Sequence, residues 1–112
     1  MGKQKKSKVT ISEILDKKKN KEKITMLTSY DYSISHICNE ADLDIVLIGD
    51  SAATVMLGYD TTRKICMEEM LTFCKGVANG ITRPLIVADM PFGSYQTGLS
   101  NPVRNAIKFL RC

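Results

Sequence analysis

No run of apolar residues approaches the roughly 20 needed to cross a bilayer, and no apolar segment follows the lysines at the N-terminus. Neither a membrane span nor a secretory signal is expected. Met1-Gly2 is not followed by the Ser or Thr at position six that myristoylation requires, because Lys6 stands there. Cys38, Cys66, Cys74 and Cys112 make no CxxC pair, which favours reduced thiols in a cytoplasmic protein. Tryptophan is absent, and the first 23 residues hold no aromatic side chain. A basic leader without rings to stack on bases, and without an apolar stripe, reads as a solvated tail and not as a nucleic-acid or membrane anchor.

The net charge of +4 divides unevenly. Residues 1–23 carry nine lysines against Glu13, Asp16 and Glu22, whereas residues 24–112 carry seven Lys and Arg against nine Asp and Glu. Residues 1–8 are therefore expected to be a basic, flexible leader and residues 9–112 a mildly acidic folded body. A hydrophobic fraction of 44% and a charged fraction of 25% suit one small soluble domain.

The body alternates strand and helix signals. Thr10 and Glu13 have capping-box spacing ahead of Ile11, Ile14 and Leu15, which predicts a helix over 11–20. The β-branched run Ile24–Thr28 predicts a buried strand. Asp31 is a good N-cap for a helix whose apolar face is Ile34, Ile37, Cys38 and Ala41. That assignment leaves His36, the only histidine, beside the face as a structural or surface residue. Ile45–Ile48 is apolar throughout, as a strand covered on both faces must be, and Gly49-Asp50-Ser51 ends it. A looser stretch over 52–64 precedes a helix carrying Met67, Met70, Leu71, Cys74, Val77 and Ala78, stopped by Gly80. Leu85–Ala88 reads as a third strand closed by Asp89. After a loop over 90–100, Asn101 as N-cap and Pro102 at the first helical position open a last helix with Val103, Ala106, Ile107 and Leu110 on one face. Three βα repeats behind a leader helix mean an α/β fold with parallel strands.

Asp50 and Asp89 lie 39 residues apart, each at the C-terminal end of a buried strand. Ligands of α/β proteins bind at those ends. Two carboxylates meeting there repel unless a cation lies between them, and hard oxygen donors with open positions suit Mg²⁺. The competing reading is that each aspartate only caps the turn or helix that follows it. Tyr30 and Asp31 follow the first strand at the same end and are candidates to line the site, although capping explains Asp31 equally well.

Four blocks turn these observations towards one family. Thr28-Ser29-Tyr30-Asp31-Tyr32-Ser33, Ile48-Gly49-Asp50-Ser51, Leu57-Gly58-Tyr59-Asp60-Thr61-Thr62 and Ala88-Asp89-Met90-Pro91-Phe92 resemble, in that order and spacing, the ketopantoate hydroxymethyltransferases. The resemblance covers roughly residues 9–110. It implies a (β/α)8 TIM barrel of the phosphoenolpyruvate/pyruvate type, of which this chain would supply the leader helix and about three βα units. It also implies transfer of a one-carbon unit from 5,10-methylenetetrahydrofolate to 3-methyl-2-oxobutanoate, giving 2-dehydropantoate on the way to pantothenate and coenzyme A. Asp50 and Asp89 match the family's Mg²⁺ ligands, and Asp50, Ser51 and Asp89 match its keto-acid contacts. The implied partners are a small keto acid and folate, in a homo-oligomer that is a decamer in the family. No catalytic base is expected within the chain. The family's lysine and its glutamates would lie beyond Cys112.

Two blocks depart from the family pattern. Ala52-Ala53 replace the usual Leu-Gly after Gly-Asp-Ser, and Arg63-Lys64-Ile65-Cys66 replace Leu-Pro-Val-Thr, which puts the loop over the site in question. One alternative is a truncated, non-catalytic fragment. Another is a receiver-like Mg²⁺-binding signalling domain, but that fold needs an adjacent acidic pair after its first strand, where this chain has Ser29-Tyr30-Asp31. Deleting residues 1–8 should leave folding and catalysis of the parent enzyme unchanged, as measured by thermal melting and turnover. A large loss in either would reveal a partner for the leader.

Overall fold

A computed structural model describes residues 7–112. Most of the leader, residues 1–6, therefore lies outside the described residues. The elements run α1 (Ile11–Lys19), β1 (Met26–Thr28), α2 (Tyr32–Glu40), β2 (Ile45–Ile48), α3 (Ala52–Val55), a 3-10 turn (Thr62–Lys64), α4 (Met67–Gly80), β3 (Leu85–Ala88) and α5 (Ser100–Leu110). The strands form one parallel sheet in the order β1-β2-β3, with Met26 opposite Ile45 opposite Leu85, and Thr28 opposite Leu47 opposite Val87. The α/β reading therefore holds, as a three-stranded sheet whose β1 and β3 each keep an open edge among the described residues.

The core lies on one face of that sheet. Val46 and Ile48 are fully buried there against Met70, Cys74 and Val77 of α4, with Cys38 of α2 and Ile65 completing the cluster. Alternation explains why β2 is not buried uniformly: Ile45 and Leu47 point to the other face, which no described helix covers, and are only half-buried. The expectation of a buried first strand fails more plainly. Met26 and Leu27 are 52% and 53% exposed, because β1 has a neighbour on one side only.

The expected face of α2 is rotated. Ile34 and Ile37 are exposed, and the buried residues are Ser35 and Cys38. The cause lies in α4. A Cβ at Gly80 would come within 2.9 Å of Ser35 Cβ and of the Tyr32 carbonyl oxygen, so the two helices meet backbone to backbone where only small residues fit. Gly80 ends α4 as predicted, but its buried position is set by this approach. The stretch over 52–64 is likewise more ordered than expected, since Ala52 and Ala53 are fully buried in the short helix α3. Helix α5 starts at Ser100 with Leu99 as N-cap, ahead of the predicted Asn101 and Pro102. Of its predicted face, Val103, Ile107 and Leu110 are exposed, and Phe109 is the residue that packs on the core.

Thr10 caps α1 by accepting the Glu13 N–H, as its spacing predicts, yet α1 buries no residue. Polar contacts hold it instead. Val9 donates its N–H to the Arg83 carbonyl, and Lys17 Nζ lies 2.8 Å from Asp44 Oδ1. Asp44, at the start of β2, also accepts the Thr25 N–H and hydroxyl, while its carbonyl accepts the Leu85 N–H. One buried carboxylate thus ties α1, β1 and β2 together at the end of the sheet opposite Asp50. Burial raises the Asp44 carboxyl, but the Lys17 hydrogen bond, the two Thr25 donors and the Lys17 charge outweigh it and hold the group below its usual value of 3.8.

Cys38 and Cys74 pack in the core as expected, and no disulfide forms. Burial, reinforced by the neighbouring Cys112 thiol, pushes Cys74 up to about 12. At pH 8, iodoacetamide should label Cys66 and Cys112 and leave Cys74 and Cys38 unmodified until denaturant is added, as read by intact-mass spectrometry. Asp44→Ala should cost about 1–3 kcal/mol in chemical unfolding, the scale of stranding buried donors. Because the folded carboxyl titrates below the unfolded one, its contribution is complete above pH 3.8 and disappears as pH falls through the lower folded value. Acid unfolding of the wild type and the variant should therefore converge below that window.

Candidate active site

The parallel register sets the height of every residue at the C-terminal end of the sheet. Ile48 pairs with Ala88, so the turns that follow begin level with each other. Asp89 donates its N–H to the Ile48 carbonyl at 2.9 Å, and Ser29 donates to Leu47 at 3.0 Å, which carries the ladder one step past each outer strand. From that position Asp89 Oδ2 accepts the Asp50 N–H at 3.0 Å. The structure thus brings together the two predicted aspartates. It also separates their roles, because Asp89 anchors the Asp50 backbone while no described residue donates to the Asp50 carboxylate.

Gly49 leaves room for the serine hydroxyl. A Cβ there would stand 3.1 Å from Ser51 Oγ, a tight contact, and 3.6 Å from Asp89 Oδ2, an ordinary one. Ser51 opens α3, a helix of only four residues, and its hydroxyl is hydrogen-bonded to the Tyr30 hydroxyl. Tyr30 thus joins the site from β1, while Asp31 caps α2 by accepting the Ile34 N–H at 2.8 Å. His36 stays outside, exposed and stacked on Tyr32.

Sequence reasoning missed the Tyr30–Ser51 contact, although Tyr30 sits two residues past a strand at the ligand-binding end. It also missed the support beneath the loop. Tyr59 donates its hydroxyl to Glu69 Oε2 at 2.7 Å, and Glu69 Oε1 accepts the Cys66 N–H at 3.1 Å, pinning the loop to the first turn of α4. The Tyr59 hydrogen bond lowers the Glu69 carboxyl, and Glu69 in turn raises the Tyr59 phenol. The departures from the family wording fit into this support. Arg63 lies over the Phe92 ring at 5.4 Å, Lys64 pairs with Asp60 at 2.7 Å, and Ile65 is buried.

Among the described residues no three His, Cys, Asp or Glu side chains gather into a metal cage. Two carboxylates at neighbouring strand ends, one of them without a donor, nonetheless fit Mg²⁺, which binds through one or two carboxylates and keeps waters or substrate oxygens elsewhere.

The profile of the family described as ketopantoate hydroxymethyltransferase matches residues 8–112. The 3-methyl-2-oxobutanoate hydroxymethyltransferase of Koribacter versatilis is 45% identical over 105 residues, covering 94% of this chain and 36% of that protein. The enzymes of the same name from Acetivibrio thermocellus and Ignicoccus hospitalis are 48% and 45% identical over 99 and 104 residues. They cover 88% and 93% of this chain, against 35% and 40% of their own lengths. The chain therefore spans little more than a third of the curated relatives it matches. With the four blocks assembled around one strand end, it belongs to the ketopantoate hydroxymethyltransferase family.

Proposed function

We propose that this chain is the metal- and keto-acid-binding part of a (β/α)8 barrel enzyme. The enzyme transfers a hydroxymethyl group from 5,10-methylenetetrahydrofolate to 3-methyl-2-oxobutanoate and gives 2-dehydropantoate, a precursor of pantothenate and coenzyme A. The observation that carries this reading is the Asp50 N–H donated to Asp89 Oδ2, which sets the two acidic residues side by side at the ligand-binding end of the sheet.

Asp50 and Asp89 are the residues that would hold Mg²⁺. When bound, Mg²⁺ supplies Lewis-acid polarisation of an α-keto carbonyl and so acidifies the neighbouring carbon. The chain's own residues do the positioning. Asp89 spends one oxygen on the Asp50 backbone and thereby holds the segment that carries the Asp50 carboxylate. Ser51 offers its hydroxyl to the substrate carboxylate, and Gly49 leaves the space in which that hydroxyl stands. Removal of the C3 proton is assigned to no residue here. It falls to a base in the part of the barrel that the relatives possess and this chain does not span. A homodecamer in the cytoplasm is the assembly that the family reading carries with it.

In the parent enzyme, Asp50→Ala and Asp89→Ala should each lower turnover by roughly a hundredfold or more, the scale of several kcal/mol of lost charge stabilisation; the melt should stay intact in Asp50→Ala and fall in Asp89→Ala, which also removes the acceptor of the Asp50 N–H. Ser51→Ala should raise KM more than it lowers kcat. Turnover retained by either aspartate variant would remove the metal assignment. Residues 1–112 expressed alone should show no turnover, and measurable 2-dehydropantoate from them would overturn the division of labour described above.

A further inference from the structure

Ser51 carries one proton and two lone pairs, and Tyr30 brings a second hydroxyl to it. Only one of the two can donate in that contact. If Ser51 donated, its single proton would be spent on the phenol and none would remain for an anionic ligand. The reverse direction satisfies both groups. No described residue other than Ser51 offers Tyr30 Oη an acceptor, and a phenol is a stronger donor than an aliphatic alcohol.

The surroundings hold Tyr30 in the required place. Its ring is half-buried and meets Phe73 of α4 edge to face, with centroids 6.4 Å apart and planes at 70°. Its backbone lies between Ser29 and Asp31, which a buried hydroxyl cluster locks. Ser29 Oγ and Ser35 Oγ are 2.8 Å apart, and Ser35 Oγ donates to the Asp31 carbonyl at 2.6 Å. Below it, the Ser29 N–H is bonded to Leu47. The ring therefore reaches Ser51 from a rigid turn and not from a mobile loop.

We propose that Tyr30 is a positioning residue for Ser51, donating its phenolic proton to Ser51 Oγ so that the serine proton is aimed at the carboxylate of the keto acid. The inference rests on the reading of Ser51 given above, and the two can fail separately. Tyr30→Phe keeps the ring against Phe73 and removes only the hydroxyl.

The direct test needs no ligand. Three-bond couplings should report one Ser51 χ1 rotamer in the wild type and rotamer averaging in Tyr30→Phe; an unchanged single rotamer overturns the proposal. In turnover of the parent enzyme, Tyr30→Phe should raise KM for 3-methyl-2-oxobutanoate about tenfold, the worth of one hydrogen bond, with kcat and the Mg²⁺ dependence little changed. Combined with Ser51→Ala it should add nothing further, because its effect acts through the serine. Independent, multiplying losses in the double variant would overturn the proposal. If Ser51→Ala itself leaves KM unchanged, the carboxylate assignment of Ser51 fails, and the aim of its proton fails with it. The rotamer measurement then shows whether Tyr30 positions the serine at all.

Discussion

Everything at the C-terminal end of the sheet depends on β2 lying in parallel register between its neighbours. The side-chain period of a strand is two residues, so a slip of one would turn Val46 and Ile48 out of the core and carry Asp50 away from Asp89. Register is therefore enforced from both ends. At one end Asp44 gathers Thr25 and Lys17, and at the other Asp89 closes on the backbone of Asp50. The carboxylates that do this are unrelated in role: one is sealed beneath the sheet, and the other faces the site.

The parts of this arrangement governed by local chemistry were legible in the sequence. Caps at Thr10 and Asp31 use side chains three residues from their partners, and both formed. Strands β2 and β3 are short apolar runs bounded by turn residues, helix α4 has a helical period, and all three formed where expected. The two aspartates were placed by strand ends alone, and the blocks around them pointed to the family.

What sequence could not supply were contacts between distant segments. The face of α2 was misjudged because Ile34 and Ile37 look like core residues until Gly80, more than forty positions away, removes the space for them. Burial of β1 was misjudged because a hydrophobic run does not say how many neighbours it will have. Asp44 carried no sequence signal that singled it out. Its importance comes from Lys17 and Thr25, which share no motif with it. Tyr30 belongs to the same class, since its partner Ser51 lies past the end of the next strand, at the start of α3.

The open edges of β1 and β3 have a consequence for how copies of this sheet meet. Both edges belong to a parallel sheet, so they run in the same direction and are not related by a two-fold axis. A copy that extends the parallel ladder with its helices on the same face sets its β1 against the β3 of its neighbour, head to tail. Such a contact uses two different surfaces and leaves a fresh edge at each end, so it grows unless rotation brings the last copy back to the first. Head-to-tail pairing through these edges therefore grows linearly, whereas antiparallel pairing of two like edges about a two-fold axis closes at a dimer. Unlike strands occupying both edges at once would stop that growth.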